Sequence, residues 1–315
     1  MSQRVIVVGA GVVGLSCAVR LAEAGYDTHV LARDLPGETT SALAGGIWQP
    51  YLCEPVDDVV RWARATHAEL VRVNDEHPEA GVLIRDGVML LRGLPTEADK
   101  PDWARRAADF VPLTPVRDPA PGYPGGFAAR VPVVDTPVYL RWLAQRLEAA
   151  AGTLTRMPVP ALPNRGIVVN ATGIAARALA SDPSVYPIRG QVVVLDNPGL
   201  TQWLDDDPGM MYVIPRTDDV IVGGTAEEGS WDTTPDPAEG ERLLDKAAAV
   251  VPRLREARVR RHVVGLRPAR PSVRLDTELL PDGAVVHCYG HGGSGITVGW
   301  GCAGDVLDQV RVLAG

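Results

Sequence analysis

The segment Gly9-Ala10-Gly11-Val12-Val13-Gly14 lies between an apolar run, Arg4–Val8, and a helical apolar pattern over Val12–Ala24. That context suits a dinucleotide pyrophosphate. The first glycine makes a tight turn, the second lets the backbone meet the phosphates, and the third lets helix and strand pack closely. N–H groups at the helix start add partial positive charge toward the anion. A merely tight strand–helix turn is the plainer reading, and the position between strand and helix weighs against it. The fingerprint ordinarily ends on an acid about 20 residues further on, at the tip of the second strand. Here the tip reads Leu31-Ala32-Arg33-Asp34, so the acid is displaced and an arginine precedes it. An acid there binds ribose hydroxyls and an arginine accommodates a 2′-phosphate, so this motif alone leaves FAD and NADP both open.

A second strand–glycine–helix pattern stands near the other end, as Val285-Val286-His287-Cys288-Tyr289-Gly290-His291-Gly292-Gly293-Ser294-Gly295-Ile296-Thr297. Glycine runs weaken a fold unless something must approach the backbone. Between the two turns, the hydroxyls of Thr39, Thr40 and Ser41 precede small residues through Gly46 and then Ile47-Trp48-Gln49-Pro50-Tyr51. Hydroxyls followed by small residues suit a helix start facing phosphate; the plainer reading is a capped short helix. At Val264-Gly265-Leu266-Arg267-Pro268-Ala269-Arg270-Pro271 an apolar strand ends in an arginine held by proline. Its guanidinium can dock a carboxylate bidentately. Taken alone, a structural arginine in an ion pair explains it better.

The elements that must carry these groups follow from periodicity and turn signals. Asp27–Ala32 completes a strand–helix–strand unit, and residues 56–77 form a long amphipathic helix. Residues 81–92 read as a strand pair turning at Asp86-Gly87, and the proline-rich residues 95–132 as a surface wrap. Thr136-Pro137 marks a helix start with threonine as N-cap. Residues 166–173 form a buried strand, residues 186–224 are β-rich, residues 239–254 are helical, and residues 258–266 form a strand.

Composition excludes several classes. Over 315 residues, 46% hydrophobic and 22% charged content describe a soluble globular chain of one large or two ordinary domains. A net charge of −8 without a basic block argues against nucleic acid. No apolar run approaches the ~20 residues that span a bilayer. The four cysteines are too scattered for a disulfide framework, and cysteines and histidines lack metal-ligand spacing. No metal is expected, and the location expected is cytoplasmic.

Taken together, GAGVVGLS, TTSALAGGIWQPY, NATG, PIRGQVVVL, YVIP followed by GGT, VGLRPARP and YGHGGSGITVGWG make the chain resemble the D-amino-acid oxidase family over nearly its whole length. The resemblance implies an α/β protein, α+β overall. A Rossmann-like FAD-binding domain with a parallel sheet would be built from residues 1–50, 135–185 and 265–315. A substrate domain on a mostly antiparallel sheet would be built from residues 51–134 and 186–264. It implies non-covalent FAD held by Gly9, Gly11, Val12, Val13, Gly14, Arg33, Asp34, Thr39, Thr40, Ser41, Gly46 and Ile47. Met157, Thr172, Gly265, Arg267, Gly292, Gly295, Ile296 and Thr297 would complete that site. Arg267 would clamp the substrate α-carboxylate, with the Tyr212 hydroxyl beside it. The Gly293 carbonyl would accept from the amine, with Gln49 nearby through water, and Ile47, Met211 and Ile214 would line the side-chain pocket. The second glycine turn would then face the flavin ring, its helix start favouring the anionic reduced flavin formed by hydride uptake at N5.

The implied reaction turns D-amino acids, neutral aliphatic ones preferred, into imino and 2-oxo acids with ammonia and H2O2. The partners are the D-amino acid and O2, with a homodimer left open. Two departures stand out. The segment TQWLDDDPGMM is short and holds no tyrosine, and Ala226 follows GGT where acidic-substrate relatives place arginine. A glycine- or sarcosine-type flavin oxidase is the nearest alternative. An NADP-binding reductase or a non-catalytic nucleotide-binding module is the alternative of another class.

Overall fold

The computed structural model describes residues 3–51, 53–206 and 208–315, so Met1, Ser2, Leu52 and, in the short TQWLDDDPGMM segment, Asp207 lie outside the described residues. Its first sheet has six strands, ordered Arg274–Leu280, Asp282–Tyr289, Arg165–Asn170, Arg4–Val8, Asp27–Ala32 and Thr153–Arg156. Every neighbouring pair is parallel except the hairpin at the Arg274–Leu280 edge. The valine-rich central strands are buried because helices cover them, as parallel strands require. Helices Val12–Glu23 and Gly295–Ala314 pack on one another, Thr136–Ala149 lies beside the first, and Val56–Glu76 lies against the second. Both strand–glycine–helix turns therefore open at the same end of one sheet.

The second sheet has nine strands and is antiparallel apart from the pairing of Val82–Leu91 with Trp203–Asp206. Tyr186–Asp196 is paired with Val259–Ala269 so that Arg267 lies opposite Ile188 and Gly265 opposite Gly190. Strand alternation divides Met211–Pro215 between two environments. Met211 and Val213 enter a core with Leu243 and Leu244 of the helix Pro237–Val250, while Ile214 joins the main core on the other face.

Three local expectations are corrected. Residues 81–92 are not a hairpin: Val82–Leu91 is one strand, continuous in register with Tyr123–Val134 through Asp86 and Gly87. Gly87 serves close approach instead, because a side chain there would collide with the Trp203 ring. The proline-rich residues 95–132 are not a wrap, since they contain the sheet strands Thr114–Ala120 and most of Tyr123–Val134. The cap of Thr136–Ala149 is Asp135, whose carboxylate accepts from the Val138 N–H at 3.5 Å. Thr136 is fully buried, and its hydroxyl donates to the Ala42 carbonyl at 3.1 Å and accepts from Arg216 at 3.2 Å. Among the described residues no helix is long and apolar enough to cross a membrane.

Candidate active site

A cavity of about 550 Å³ is lined from both sheets and reaches from the first glycine turn to the second. At the first turn the three glycines serve different ends. Gly9 has φ +116°, which disfavours a side chain, and a side chain on Gly14 would collide with the Gly9 carbonyl. Gly14 therefore stands behind the lining, as a packing residue. Gly11 opens on the cavity, and the space its missing side chain leaves is bounded only by Ser41 Oγ at 3.2 Å. Ser41 Oγ accepts from the Val12 N–H at 3.1 Å, which places the hydroxyl cluster at the start of the first helix.

Val12, Val13, Thr39 and Thr40 line the same end, with Met157 and Thr172 closing it. Arg33 and Asp34 also line the cavity, and they pair with each other: Arg33 Nη2 donates to Asp34 Oδ2 at 2.6 Å. The arginine that kept a 2′-phosphate open is thus matched by the neighbouring acid.

At the second turn, Gly292, Gly293, Gly295 and Ile296 line the cavity, facing Gly46, Ile47, Gln49 and Gly265. The helix Gly295–Ala314 gets no bond from its cap residue Ser294, whose hydroxyl is committed to both backbone groups of Tyr51 at 2.7 Å. Its positive end is left facing the cavity. Thr297 does not reach the lining. It is 1% exposed, and its hydroxyl is spent on the Gln49 backbone, donating to the carbonyl at 2.9 Å and accepting from the N–H at 3.2 Å. It positions Gln49 instead.

Arg267 enters the cavity from the second sheet. Its Nη1 donates to the Thr225 carbonyl at 2.9 Å. The guanidinium lies flat on the backbone of Gly190, where any side chain would displace it. No carboxylate among the described residues pairs with it. Arg270, three residues on, is the structural arginine: it donates to Asp182 at 2.9 Å and to the Ser272 carbonyl at 2.8 Å. Tyr212 lies beside Arg267, whose charge acts on its phenol, with its ring resting on Gly223 and Gly224. Burial raises the pKa of its phenol, so the hydroxyl is a neutral donor at ordinary pH. Met211 borders the cavity, but its side chain is 1% exposed in the second core; the exposed neighbour Met210 and Ile214 stand at the lining.

Behind the second turn the fold gathers residues that are far apart in sequence. Cys288, His291 and Cys302 bring their ligand-type atoms within 4.8 Å of one another, although their spacing carries no metal signature. All four cysteines are free thiols. Cys17 joins the group, its pKa raised by the hydrogen bond with Cys288 and by burial, and burial raises that of Cys302. Burial also pushes His291 down to about 4, leaving a neutral cluster.

That shift has a direction. The folded state binds the His291 proton only near pH 4 and the unfolded chain near 6.5, so stability present above pH 6.5 is lost as pH falls from 6.5 toward 4. The loss attributable to this one group is about 3 kcal/mol across that window. His291→Gln should flatten the dependence of Tm on pH between 7 and 4.5, as read by thermal melts; a slope equal to the wild type would move the acid sensitivity elsewhere.

Residues not singled out from sequence also line the cavity: Tyr51, Asp205, Met210 and Thr225. Asp205 sits in the short segment after Thr201, where Trp203–Asp206 is a strand whose pairing sets Asp205 directly opposite Tyr212.

A glycine turn open to a phosphate, hydroxyls at a helix start and a second glycine turn under a helix dipole define a dinucleotide-dependent oxidoreductase. The chain belongs to the FAD dependent oxidoreductase family, whose model matches residues 4–309. It is 45% identical to the D-amino-acid oxidase of Rubrobacter xylanophilus, over 99% of this chain and 96% of that one. It is 37% identical to the human D-aspartate oxidase, over 99% and 94%. In fold it is similar to the glycine oxidase of Bacillus cereus, with a TM-score of 0.82, 19% identity, and 99% and 95% of the two chains covered. FAD is the cofactor, and the open backbone at Gly11 with the uncapped helix at Gly295 suits its pyrophosphate and its ring.

Proposed function

We propose that this chain is an FAD-dependent D-amino-acid oxidase that prefers neutral aliphatic substrates. The substrate loses its α-hydrogen and an electron pair to become an imino acid, which hydrolyses to a 2-oxo acid and ammonia, while O2 is reduced to H2O2. The observation that carries this reading is Arg267, a cavity arginine without an acid partner among the described residues, held by Thr225 and Gly190 beside the Tyr212 hydroxyl.

In this reading Arg267 takes the α-carboxylate through paired bonds and Tyr212 donates to the same group. The Gly293 carbonyl accepts from the amine, with Gln49 beside it. FAD held between the two glycine turns would supply the two-electron acceptor for the α-hydrogen and its electron pair, with O2 as the final oxidant. The chain contributes orientation, the main lever where the cofactor does the hard step. The segments of the six-stranded sheet, residues 1–50, 135–185 and 265–315, form the FAD-binding unit, and residues 51–134 and 186–264 form the substrate unit.

Ile47 and Ile214 supply apolar wall, and Ala226 offers no charge to a second carboxylate. Each buried methylene contributes about 0.8 kcal/mol, roughly a fourfold gain in binding, whereas an unpaired carboxylate costs far more to desolvate. D-valine, D-leucine and D-methionine should therefore release peroxide readily, and D-aspartate and every L-isomer poorly. With carboxylate and amine anchored, inverting Cα turns the α-hydrogen away from the flavin. A peroxide assay across the D and L series tests this. Preference for D-aspartate, or for glycine over every branched D-amino acid, would refute it.

A further inference from the structure

Behind the second glycine turn the fold assembles soft donors that neither the cofactor nor the substrate reading uses. Cys288 stands at the end of the strand Asp282–Tyr289, His291 in the turn that follows, and Cys302 two turns into the helix Gly295–Ala314. The helix packs back along that strand, which returns Cys302 to Cys288. The turn itself is pinned: the Gly292 N–H donates to the Pro268 carbonyl and the Ser294 N–H to the His291 carbonyl, each at 2.9 Å. All three side chains therefore leave anchored backbone, as a preformed site requires.

The donor atoms are spaced for a single ion. Cys288 Sγ and His291 Nε2 stand 3.8 Å apart, and no two of the three donor atoms are further apart than 4.8 Å. With sulfur at about 2.3 Å and nitrogen at about 2.0 Å from a tetrahedral metal, such pairs are separated by roughly 3.5–3.8 Å. The group needs to close by about 1 Å at most. All three residues are buried, yet Cys288 and His291 line the cavity, which gives an ion a way in.

Charge and softness select the ion. A buried site holds an uncompensated charge only at high cost. Two thiolates and one neutral imidazole balance a divalent cation, and sulfur and imidazole donors suit a d10 ion rather than the hard cations that take oxygen.

We propose that Cys288, His291 and Cys302 form a binding site for a thiophilic divalent cation such as Zn2+, reached through the cavity. Each thiol gives up its proton to solvent as its sulfur bonds the metal. The site is made by the chain alone, so it stands or falls separately from the oxidase reading.

The test uses the untagged full-length protein without flavin, so that the cavity is open, with Zn2+ and Co2+ as probes. After equilibration with Zn2+ and dialysis, elemental analysis should find about one ion per chain. Cys288→Ser and Cys302→Ser should each retain less than about a tenth of that. Cys53→Ser removes the half-buried thiol outside the group and should retain the ion in full. Co2+ bound to the wild type should show thiolate charge-transfer absorption and the intense d–d bands of a tetrahedral site, a readout that needs no variant to fold. The proposal is overturned if the wild type gives up its zinc on dialysis, or if its bound Co2+ shows only the weak bands of oxygen coordination. It is equally overturned if folded Cys288→Ser and Cys302→Ser keep the ion, or if folded Cys53→Ser loses it.

Discussion

Arg267→Ala should retain FAD and lose roughly three orders of magnitude in kcat/KM for a good D-amino acid. The guanidinium is fixed before substrate arrives, by the Thr225 carbonyl at 2.9 Å and by the flat backbone of Gly190. Thr225 uses one of its five N–H donors, and the rest include the parallel pair a carboxylate needs. Truncating one partner of a desolvated charge pair costs about 2–5 kcal/mol, or roughly 30- to 5,000-fold. Arg267→Lys restores the charge as a compact point but not the fork, so it should recover only part of the loss. Arg270→Ala is the contrasting variant, because its guanidinium is paired with Asp182 and the Ser272 carbonyl and should matter for stability rather than for KM. Steady-state kinetics on samples of equal flavin absorbance make the comparison. Unchanged kcat/KM in both Arg267 variants would place the carboxylate clamp elsewhere.

The contrast between Arg267 and Arg270 also shows where sequence reading stops. Arg267 stands near the end of the strand Val259–Ala269 and Arg270 just past it, and both abut proline, so nothing local distinguishes a substrate clamp from an ion pair. The difference lies in Asp182, 88 positions away, which the fold brings to one of them and not the other. Features set by short-range geometry were readable: the two strand–glycine–helix turns, the parallel strands as unbroken valine runs, and the helix over residues 56–77. What depended on pairing was not. Asp86-Gly87 has the chemistry of a turn, but the glycine is required by the Trp203 ring lying over it. Proline within residues 114–134 argued against strands, yet an edge position tolerates it, as at Pro115 and Pro119 on the last strand of the sheet. Asp205 was hidden because its meaning comes from standing opposite Tyr212, a relation that only the register supplies.

Gly11→Val should give a folded protein that no longer holds FAD, and the reason it should remain folded is as specific as the reason it should lose the cofactor. Gly11 has φ −72° and ψ 177°, an extended conformation open to any residue, so valine strains no backbone there. The nearest atom to its new Cβ is Ser41 Oγ at 3.2 Å, a side chain that can give by a few tenths of an ångström. Its neighbours differ: Gly9 has φ +116° and faces the Ala171 carbonyl, while Gly14 abuts the Gly9 carbonyl, so a side chain at either disrupts the turn itself. Valine at position 11 instead puts two methyls where the backbone must meet pyrophosphate. Overpacking of that kind costs about 3 kcal/mol at the upper end of its usual range, which weakens FAD roughly 100-fold. Titration of FAD into the apoprotein, followed by flavin fluorescence, reads the affinity, and circular dichroism with thermal melting reads the fold. Full flavin occupancy in a folded Gly11→Val protein would mean that the phosphates lie elsewhere along the cavity. Loss of fold together with loss of FAD would mean that Gly11, like Gly9 and Gly14, serves the turn rather than the ligand.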